Sequence, residues 1–216
     1  MMNQYFDTSI DVDFIYVNSA LKNINFALIS LDYILNDYLH QNGTIGIYHD
    51  EHTYYFYHIQ ALLTACGNIS NVFYNHSHLK NKLNNKLKTE RCERLRKNFG
   101  VTKAAYYLIF QKEARNTNEH FDERYDEFEG KLGDYNLLDN NTDNEMREAI
   151  MNNTHLRTYD KANHIYYTYG RNKKPISYDL LEMHRELNEM KNQIENNPTT
   201  DIAWVDQYPF ETIKDN

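Results

Sequence analysis

Arginine, asparagine, glutamate and histidine stand close together in the stretch Arg115-Asn116-Thr117-Asn118-Glu119-His120. Histidine takes up and releases protons near neutral pH, and arginine presents a charged planar fork to phosphate oxygens. These two residue types suit cleavage of RNA by its own 2′-hydroxyl, because that reaction moves two protons and concentrates negative charge at phosphorus. Asn116 can orient His120 or bind the ribose, and Glu119 can hold the guanidinium of Arg115.

An apolar stripe predicts that this stretch lies inside one long helix, over about residues 102–132. The apolar positions recur at steps of three and four, which is the period of a single buried helical face. They are Tyr107, Phe110, Ala114, Phe121, Tyr125, Phe128 and Leu132. Gly130 and Gly133 supply a stop signal at the C-terminal end of this helix.

On such a helix the four polar residues form two pairs. Arg115 with Glu119 and Asn116 with His120 are each four residues apart, so each pair can interact. At about 100° per residue, Arg115 and His120 lie on opposite flanks of the apolar stripe. To act on one substrate atom they therefore need help from a second helix or from a second copy of the chain.

The rest of the chain also shows helical spacing. Steps of three and four predict helices over about residues 12–40, 50–74, 89–99, 142–151 and 178–194. Thr89, Thr142 and Ser177 are the expected N-terminal caps of the last three helices. Residues 164–169 are rich in β-formers and are followed by a turn and a short return segment, 175–178, so a small hairpin is expected there.

The charge of the chain is unevenly distributed. The net charge of −8 argues against a generic nucleic-acid binder. Residues 80–103, however, hold nine basic and two acidic residues, so this window carries +7 and the rest of the chain −15. Such a run fits either a solvated helix surface or a face that binds phosphate. The candidate RNA-binding residues are Lys86, Lys88, Arg91, Arg94, Arg96 and Lys97.

Several classes of protein are disfavoured. Cys66 and Cys92 have no metal-ligand spacing, and His52 and His58 are six residues apart and do not share a helical face, so we expect neither a metal site nor a cofactor. The sequence shows no phosphate-cradling glycine loop and no nucleophile elbow. We find neither a secretory signal nor an apolar run long enough to span a membrane, and we therefore expect a cytoplasmic protein with no membrane partner.

The spacing Arg115-Asn116-(three residues)-His120 resembles the Arg-x(4–6)-His motif of the HEPN superfamily, which favours a polar residue directly after the arginine. HEPN proteins are small α-helical bundles. Many are metal-independent endoribonucleases, commonly toxins or abortive-infection factors of phage defence in prokaryotes. They usually dimerise so that two motifs face each other across a cleft. The resemblance implies an RNA substrate, a homodimer and, for a toxin, a cognate antitoxin protein as a partner.

The resemblance also implies the roles of the site residues and the fold. Arg115 would stabilise the phosphate and His120 would act as general acid or base, with Asn116 and Glu119 beside them. We expect a mainly α fold, a HEPN-like up-down helical bundle with a small C-terminal β-hairpin and a terminal helix. The bundle would span residues 1–152, and residues 153–216 would form the hairpin and helix as an appendage packed on it.

Two other functions fit the same residues. In the first, the chain is a non-catalytic HEPN-like dimerisation or protein-interaction module, and the two polar pairs are structural. In the second, a helical bundle uses some of its 19 tyrosines to bind a small molecule. A pocket that holds Arg115 and His120 open to solvent favours the enzyme, whereas burial and mutual pairing of the two favour an interaction role.

Overall fold

The computed structural model describes residues 8–38, 50–76, 82–129, 131–139, 142–151, 155–170 and 173–198. Within these ranges the chain is mostly helical with a small four-stranded sheet, which confirms the prediction of a mainly α fold. The helices are α1 (Thr8–Asn36), α2 (Glu51–Phe73), α3 (Lys82–Phe99), α4 (Tyr107–Phe110), α5 (Glu113–Glu119), α6 (Phe121–Glu127), α7 (Asn144–Met151) and α8 (Leu180–Glu195). The strands are β1 (Gly133–Leu138), β2 (His155–Asp160), β3 (Ile165–Tyr169) and β4 (Pro175–Asp179).

The helices α1 and α2 pack along each other and supply the centre of the core. Asp50 caps α2, since its carboxylate accepts the backbone N–H of Thr53 at 2.7 Å. Both helices bury apolar residues spaced at three and four, and each large aliphatic side chain that is fully buried contributes about 1.5–3 kcal/mol. The buried stripe residues include Val17, Leu21, Ile24, Leu31 and Ile34 of α1, and Ile59, Leu62, Cys66, Ile69 and Phe73 of α2.

The terminal helix α8 closes this core by packing against α1 and α4. Its buried residues are Leu180, Met183, Glu186, Leu187, Met190 and Ile194. The prediction that Ser177 caps α8 is wrong, because Ser177 lies in β4 and pairs with Tyr167 of β3. Asp179 caps α8 instead, through a 3.0 Å bond from the backbone N–H of Glu182.

The basic helix α3 begins seven residues earlier than predicted. Thr89 does not cap it, because its hydroxyl donates to the carbonyl of Asn85 inside the helix at 2.9 Å. The early turns are stabilised by Asn75, whose side-chain amide donates to Asn85 Oδ1 and to Thr89 Oγ1, each at 2.8 Å. The helix ends before Gly100, which has a φ of +65° that suits glycine.

The prediction of one long helix over residues 102–132 is wrong. The structure breaks this segment into α4, α5 and α6, with extended backbone at Gln111 and a non-helical residue at His120. Tyr107 was expected in the buried stripe and is 59% exposed. Leu132 is buried, but in a small separate cluster with Leu156 and Tyr169.

Side chains from the C-terminal part of the chain stabilise these breaks. The buried carboxylate of Glu186 accepts the backbone N–H groups of Leu108 at 3.0 Å and of Ile109 at 3.1 Å, and so caps α4. The hydroxyl of Tyr178 accepts the backbone N–H of Ala114, in the first turn of α5, at 2.9 Å. Backbone donors that a continuous helix would satisfy internally are thus satisfied by distant residues.

The sheet has the strand order β1-β2-β3-β4. The predicted hairpin is confirmed by the antiparallel pair β3–β4, but β1 and β2, which pair in parallel, were not predicted. Two ion pairs secure β2, and they join Arg157 to Asp134 of β1 and the buried Asp160 to Arg147 of α7. The cap of α7 is Asp143, which accepts from Met146 N–H at 2.8 Å, rather than Thr142.

The main hydrophobic core draws residues from both sides of position 152, from Val17 of α1 to Ile194 of α8. A division of the chain at 152 stays a prediction. None of the described helices combines the length and apolar character needed to cross a bilayer.

A buried histidine makes the stability of this core depend on pH. The ring of His58 in α2 stacks on Tyr33 of α1 at 4.7 Å between centroids and meets Tyr54 edge-on at 4.9 Å. Burial lowers the pKa of His58 from its ordinary 6.5 to about 4. Between pH 6.5 and about 4, His58 is protonated in the unfolded chain and neutral in the folded chain. The free energy of unfolding therefore decreases as the pH falls through this range.

We therefore predict that lowering the pH from 7.5 to 5 removes about 2 kcal/mol of unfolding free energy through His58 alone. Replacing His58 by Phe keeps an aromatic ring in the stack and removes the proton site. Urea unfolding at the two pH values should show a smaller loss in His58→Phe than in the wild type. An equal loss in both proteins would contradict this role of His58.

Candidate functional site

The helix α5, which carries the motif, is held between α2 and the strand β3. Two fully buried tyrosines of the hairpin fix its position. Tyr178 accepts from the backbone of Ala114 at 2.9 Å, and the hydroxyl of Tyr166 donates to Asn118 Oδ1 at 3.3 Å. Burial raises the pKa of Tyr166 to about 12, so this hydroxyl keeps its proton at neutral pH.

Arg115 is inserted between α5 and α2. Its Nε donates to Glu119 Oε1 at 2.7 Å, which is the pair predicted from the four-residue spacing. The side chain lies directly on Gly67 of α2, where an added Cβ would stand 2.5 Å from both Nε and Nη1 of Arg115. Only 26% of the Arg115 side chain is exposed. Glycine at position 67 therefore makes room for this arginine.

His120 lies at the junction between α5 and α6, outside regular helix. Its side chain is 55% exposed, and Nδ1 is 3.5 Å from Glu123 Oε1. The expected side-chain bond with Asn116 is replaced by a backbone bond, from the His120 N–H to the Asn116 carbonyl at 3.0 Å. Asn116 itself is half-buried. In the part of the chain that the structure describes, no hydrogen bond or ion pair joins Arg115 to His120.

Three arginines of the predicted RNA-binding set make contacts within the fold. Arg94 forms two 2.7 Å bonds to Asp13 of α1, and Arg91 lies 3.8 Å above the Tyr16 ring. The guanidinium of Arg96 donates to the carbonyl of Phe73 at 2.6 Å, at the C-terminal end of α2. These contacts attach α3 to α1 and α2.

The three lysines of this set differ from one another. Lys86 and Glu90, both exposed, lie 3.7 Å apart on α3. Lys97 is exposed on the last turn of the same helix. Lys88 is half-buried, and its positive charge acts on His76.

The sequence did not reveal a concentration of positive charge around His76. The cation cluster, as we call it, consists of Lys88, Lys103, Lys112 and Arg115. Burial, and then the charges of these four residues, lower the pKa of His76 from 6.5 to about 4. Lys112 also has a lowered pKa, because it is partly buried and close to two other cations of the cluster.

Its members come from three segments, so no local pattern marks the cation cluster. Lys88 lies in α3, Lys103 lies in the loop that follows α3, and Lys112 and Arg115 lie at the start of α5. The sequence signals were that Lys88 and Lys103 lie in the basic window and that Lys112 stands three residues before Arg115. The motif arginine is thus part of a larger positively charged site.

The described residues contain no group of three or more histidine, cysteine or acidic side chains placed to hold a metal ion. Comparisons of the chain with protein-family models, with curated proteins and with solved structures found no match.

Because Arg115 lies against Gly67, we predict that Gly67→Ala has opposite effects on stability in the wild-type and Arg115→Ala backgrounds. Gly67→Ala alone should lower the free energy of unfolding by about 1–3 kcal/mol, because the new methyl group overlaps Arg115. In an Arg115→Ala background the same change should raise it by about 0.5–1 kcal/mol, because alanine favours helix over glycine. Denaturant unfolding of the four proteins measures both effects. The same sign in both backgrounds would show that Arg115 does not occupy this space.

Proposed function

We propose that this chain is a metal-independent endoribonuclease of HEPN type, in which Arg115 binds the phosphate and His120 transfers protons. The observation that carries the proposal is the placement of Arg115. It is half-buried and oriented by Glu119 and Gly67, and it belongs to a cation cluster in a chain of net charge −8. Among the described residues, only its Nε makes a hydrogen bond, which leaves both terminal NH2 groups for phosphate oxygens.

The two residues have separate tasks in this reaction. The 2′-oxygen attacks the adjacent phosphorus, its proton passes to a base, and the bond from phosphorus to the 5′-oxygen breaks as that oxygen receives a proton. The products are a 2′,3′-cyclic phosphate and a 5′-hydroxyl. His120 supports this chemistry because its ring is exposed and can reach a bound RNA. Arg115 balances the charge that develops on the phosphate.

A homodimer is part of the proposal. Arg115 and His120 are five residues apart and have no direct contact among the described residues, so a partner copy would complete each site. Two chains of charge −8 repel each other, and they approach at least cost through uncharged faces. Such a face exists in the groove between α1 and α2, where Phe26 and Tyr57 are each 58% exposed.

The remaining parts of the proposal follow from the HEPN resemblance. They are an up-down arrangement of the helices, a cytoplasmic toxin or abortive-infection role, and a cognate antitoxin protein. Expression of a toxin of this kind would arrest growth with decay of total RNA, which connects the cellular effect to the chemistry at His120.

The alternative is a non-catalytic dimerisation or interaction module. The ion pair between Arg115 and Glu119, together with the approach of His120 to Glu123, favours it, because these contacts also serve a purely structural helix. The uncharged groove between α1 and α2 would then be the functional surface. The small-molecule hypothesis has less support, because Tyr54, Tyr55, Tyr159, Tyr166 and Tyr178 are fully buried core residues.

The first test is cleavage of RNA by purified variants. His120→Ala and Arg115→Ala should each lower the cleavage rate by about 10²- to 10⁴-fold, because each removes a group needed in the transition state. His52→Ala, which changes an exposed histidine on α2, is the matched control and should cleave like the wild type. Circular dichroism checks that every variant is folded. Equal cleavage by the wild type and His120→Ala would remove His120 from the mechanism.

The second test asks whether one site draws on two chains. When inactive Arg115→Ala and inactive His120→Ala are unfolded together and refolded as a mixture, half of the dimers are mixed. Each mixed dimer has one intact site if arginine and histidine come from different chains, so about a quarter of the wild-type rate should return. No recovery from a mixture shown to contain mixed dimers would mean that the pair acts within one chain.

A further inference from the structure

Tyr74 and His76, which follow α2, lie side by side at the centre of the cation cluster. The rings of the two residues stack with centroids 6.1 Å apart and planes 21° apart. Lys103 Nζ lies 4.9 Å from the centre of the Tyr74 ring, and Arg96 Cζ lies 4.6 Å from it. The tyrosine ring thus holds positive charge close to His76, since cations are attracted to an aromatic face.

The helix α5 brings two further cations to the same face of α2. Arg115 lies against Gly67, and Ser70, three residues later, has its hydroxyl 2.6 Å from His76 Nε2. Residues three apart share a helical face, so Arg115 and His76 are neighbours along α2. Lys112 directly precedes α5, and its charge acts on His76 more strongly than that of any other cation.

Carboxylates in the described part of the chain balance this charge only in part, since Glu113 raises the pKa of Lys112 but burial and two cations lower it overall. The largest electrostatic contributions to the pKa of His76 come from cations, and they lower it. Glu119 pairs with Arg115, but among the described residues neither Lys103 nor Lys112 forms an ion pair with a carboxylate. Cations that repel one another cost stability, most where they are partly buried like Lys112 and Arg115, and a bound anion would offset that cost.

We propose that the C-terminal end of α2 is a binding site for a phosphate group, which contacts Lys103, Lys112 and Arg115 beside His76. A phosphate suits these residues because an arginine fork and lysine point charges match its several oxygens. The proposed function is needed only to name the source of the phosphate as an RNA backbone. A free phosphate or a nucleotide would offer the same chemistry.

This site extends beyond the proposed catalytic pair. Arg115 belongs to both, but Lys103, Lys112 and His76 have no role in the proton transfers assigned to His120. A phosphate bound there would hold the RNA in place, so Lys103 and Lys112 are positioning residues. Loss of either should weaken binding of RNA more than it slows cleavage of RNA that is already bound.

The ring signals of His76 in an NMR spectrum provide a local readout, assigned by their loss in His76→Gln. Addition of inorganic phosphate at pH 7 and constant ionic strength should change the chemical shifts of these signals until the site is saturated. Chloride should not change them. Lys112→Gln and Lys103→Gln should each weaken phosphate binding about tenfold, because each removes one charged hydrogen bond. Lys22→Gln removes the same charge from the exposed face of α1 and should leave the affinity unchanged. Denaturant unfolding checks that the variants are folded.

Two results would overturn the proposal. The first is a His76 signal that does not move with phosphate or moves equally with chloride. The second is an equal loss of affinity in Lys22→Gln and Lys112→Gln, since that would indicate a diffuse field rather than a site. Phosphate binding without any RNA cleavage would remove the proposed function and keep the site. RNA cleavage by a protein whose His76 signal does not respond to phosphate would keep the proposed function and remove the phosphate site.

A 2′-O-methyl oligoribonucleotide identifies the source of the phosphate, because it lacks the attacking hydroxyl and is not cleaved. If the oligonucleotide displaces phosphate from the His76 site, the ligand is the RNA backbone, and its affinity should also fall in Lys112→Gln. If it fails to displace phosphate, the site serves a free phosphate or a nucleotide.

Discussion

The close contact between α5 and α2 at Gly67 is the constraint on which the candidate site depends. Glycine leaves a gap in the surface of α2, and the side chain of Arg115 occupies it. A larger residue at position 67 would displace the guanidinium end of Arg115, which also pairs with Glu119. The hairpin holds α5 from the other side through Tyr178 and Tyr166. The position of the motif is therefore set by packing across the whole core.

Much of the fold could be predicted from the sequence, because α1, α2 and α8 are long and bury one regular face each. The division of residues 102–132 into the three short helices α4, α5 and α6 could not be predicted. The apolar spacing of this segment is helical throughout, but Glu186 and Tyr178 satisfy the first backbone donors of α4 and α5 from about seventy residues away. The parallel strands β1 and β2 could not be predicted either, because ion pairs help to hold them: Arg157 of β2 pairs with Asp134 of β1, and Asp160 of β2 pairs with Arg147 of α7.

The candidate site was predictable only where it is local. The pair of Arg115 and Glu119 follows from a four-residue spacing on one helix, and the structure contains it. The cation cluster depends on three chain segments meeting at His76, and a linear pattern carries no such information. Conversely, the run of basic residues in α3 suggested one continuous surface, yet Arg91, Arg94 and Arg96 are largely engaged in holding that helix to its neighbours.

The packing of α1 against α8 has a consequence for how the protein is made. About 140 residues separate the two helices, so α1 leaves the ribosome long before its partner exists. The residues that cap α4 and α5 also lie near the C-terminal end of the described chain. A nascent chain can therefore pair α1 with α2 early but cannot form the contacts that hold α4 and α5 until residues 178–186 have been synthesised. Under the proposed ribonuclease function, a nascent chain that still lacks β4 and α8 would not yet have its site in place beside the ribosome that produces it.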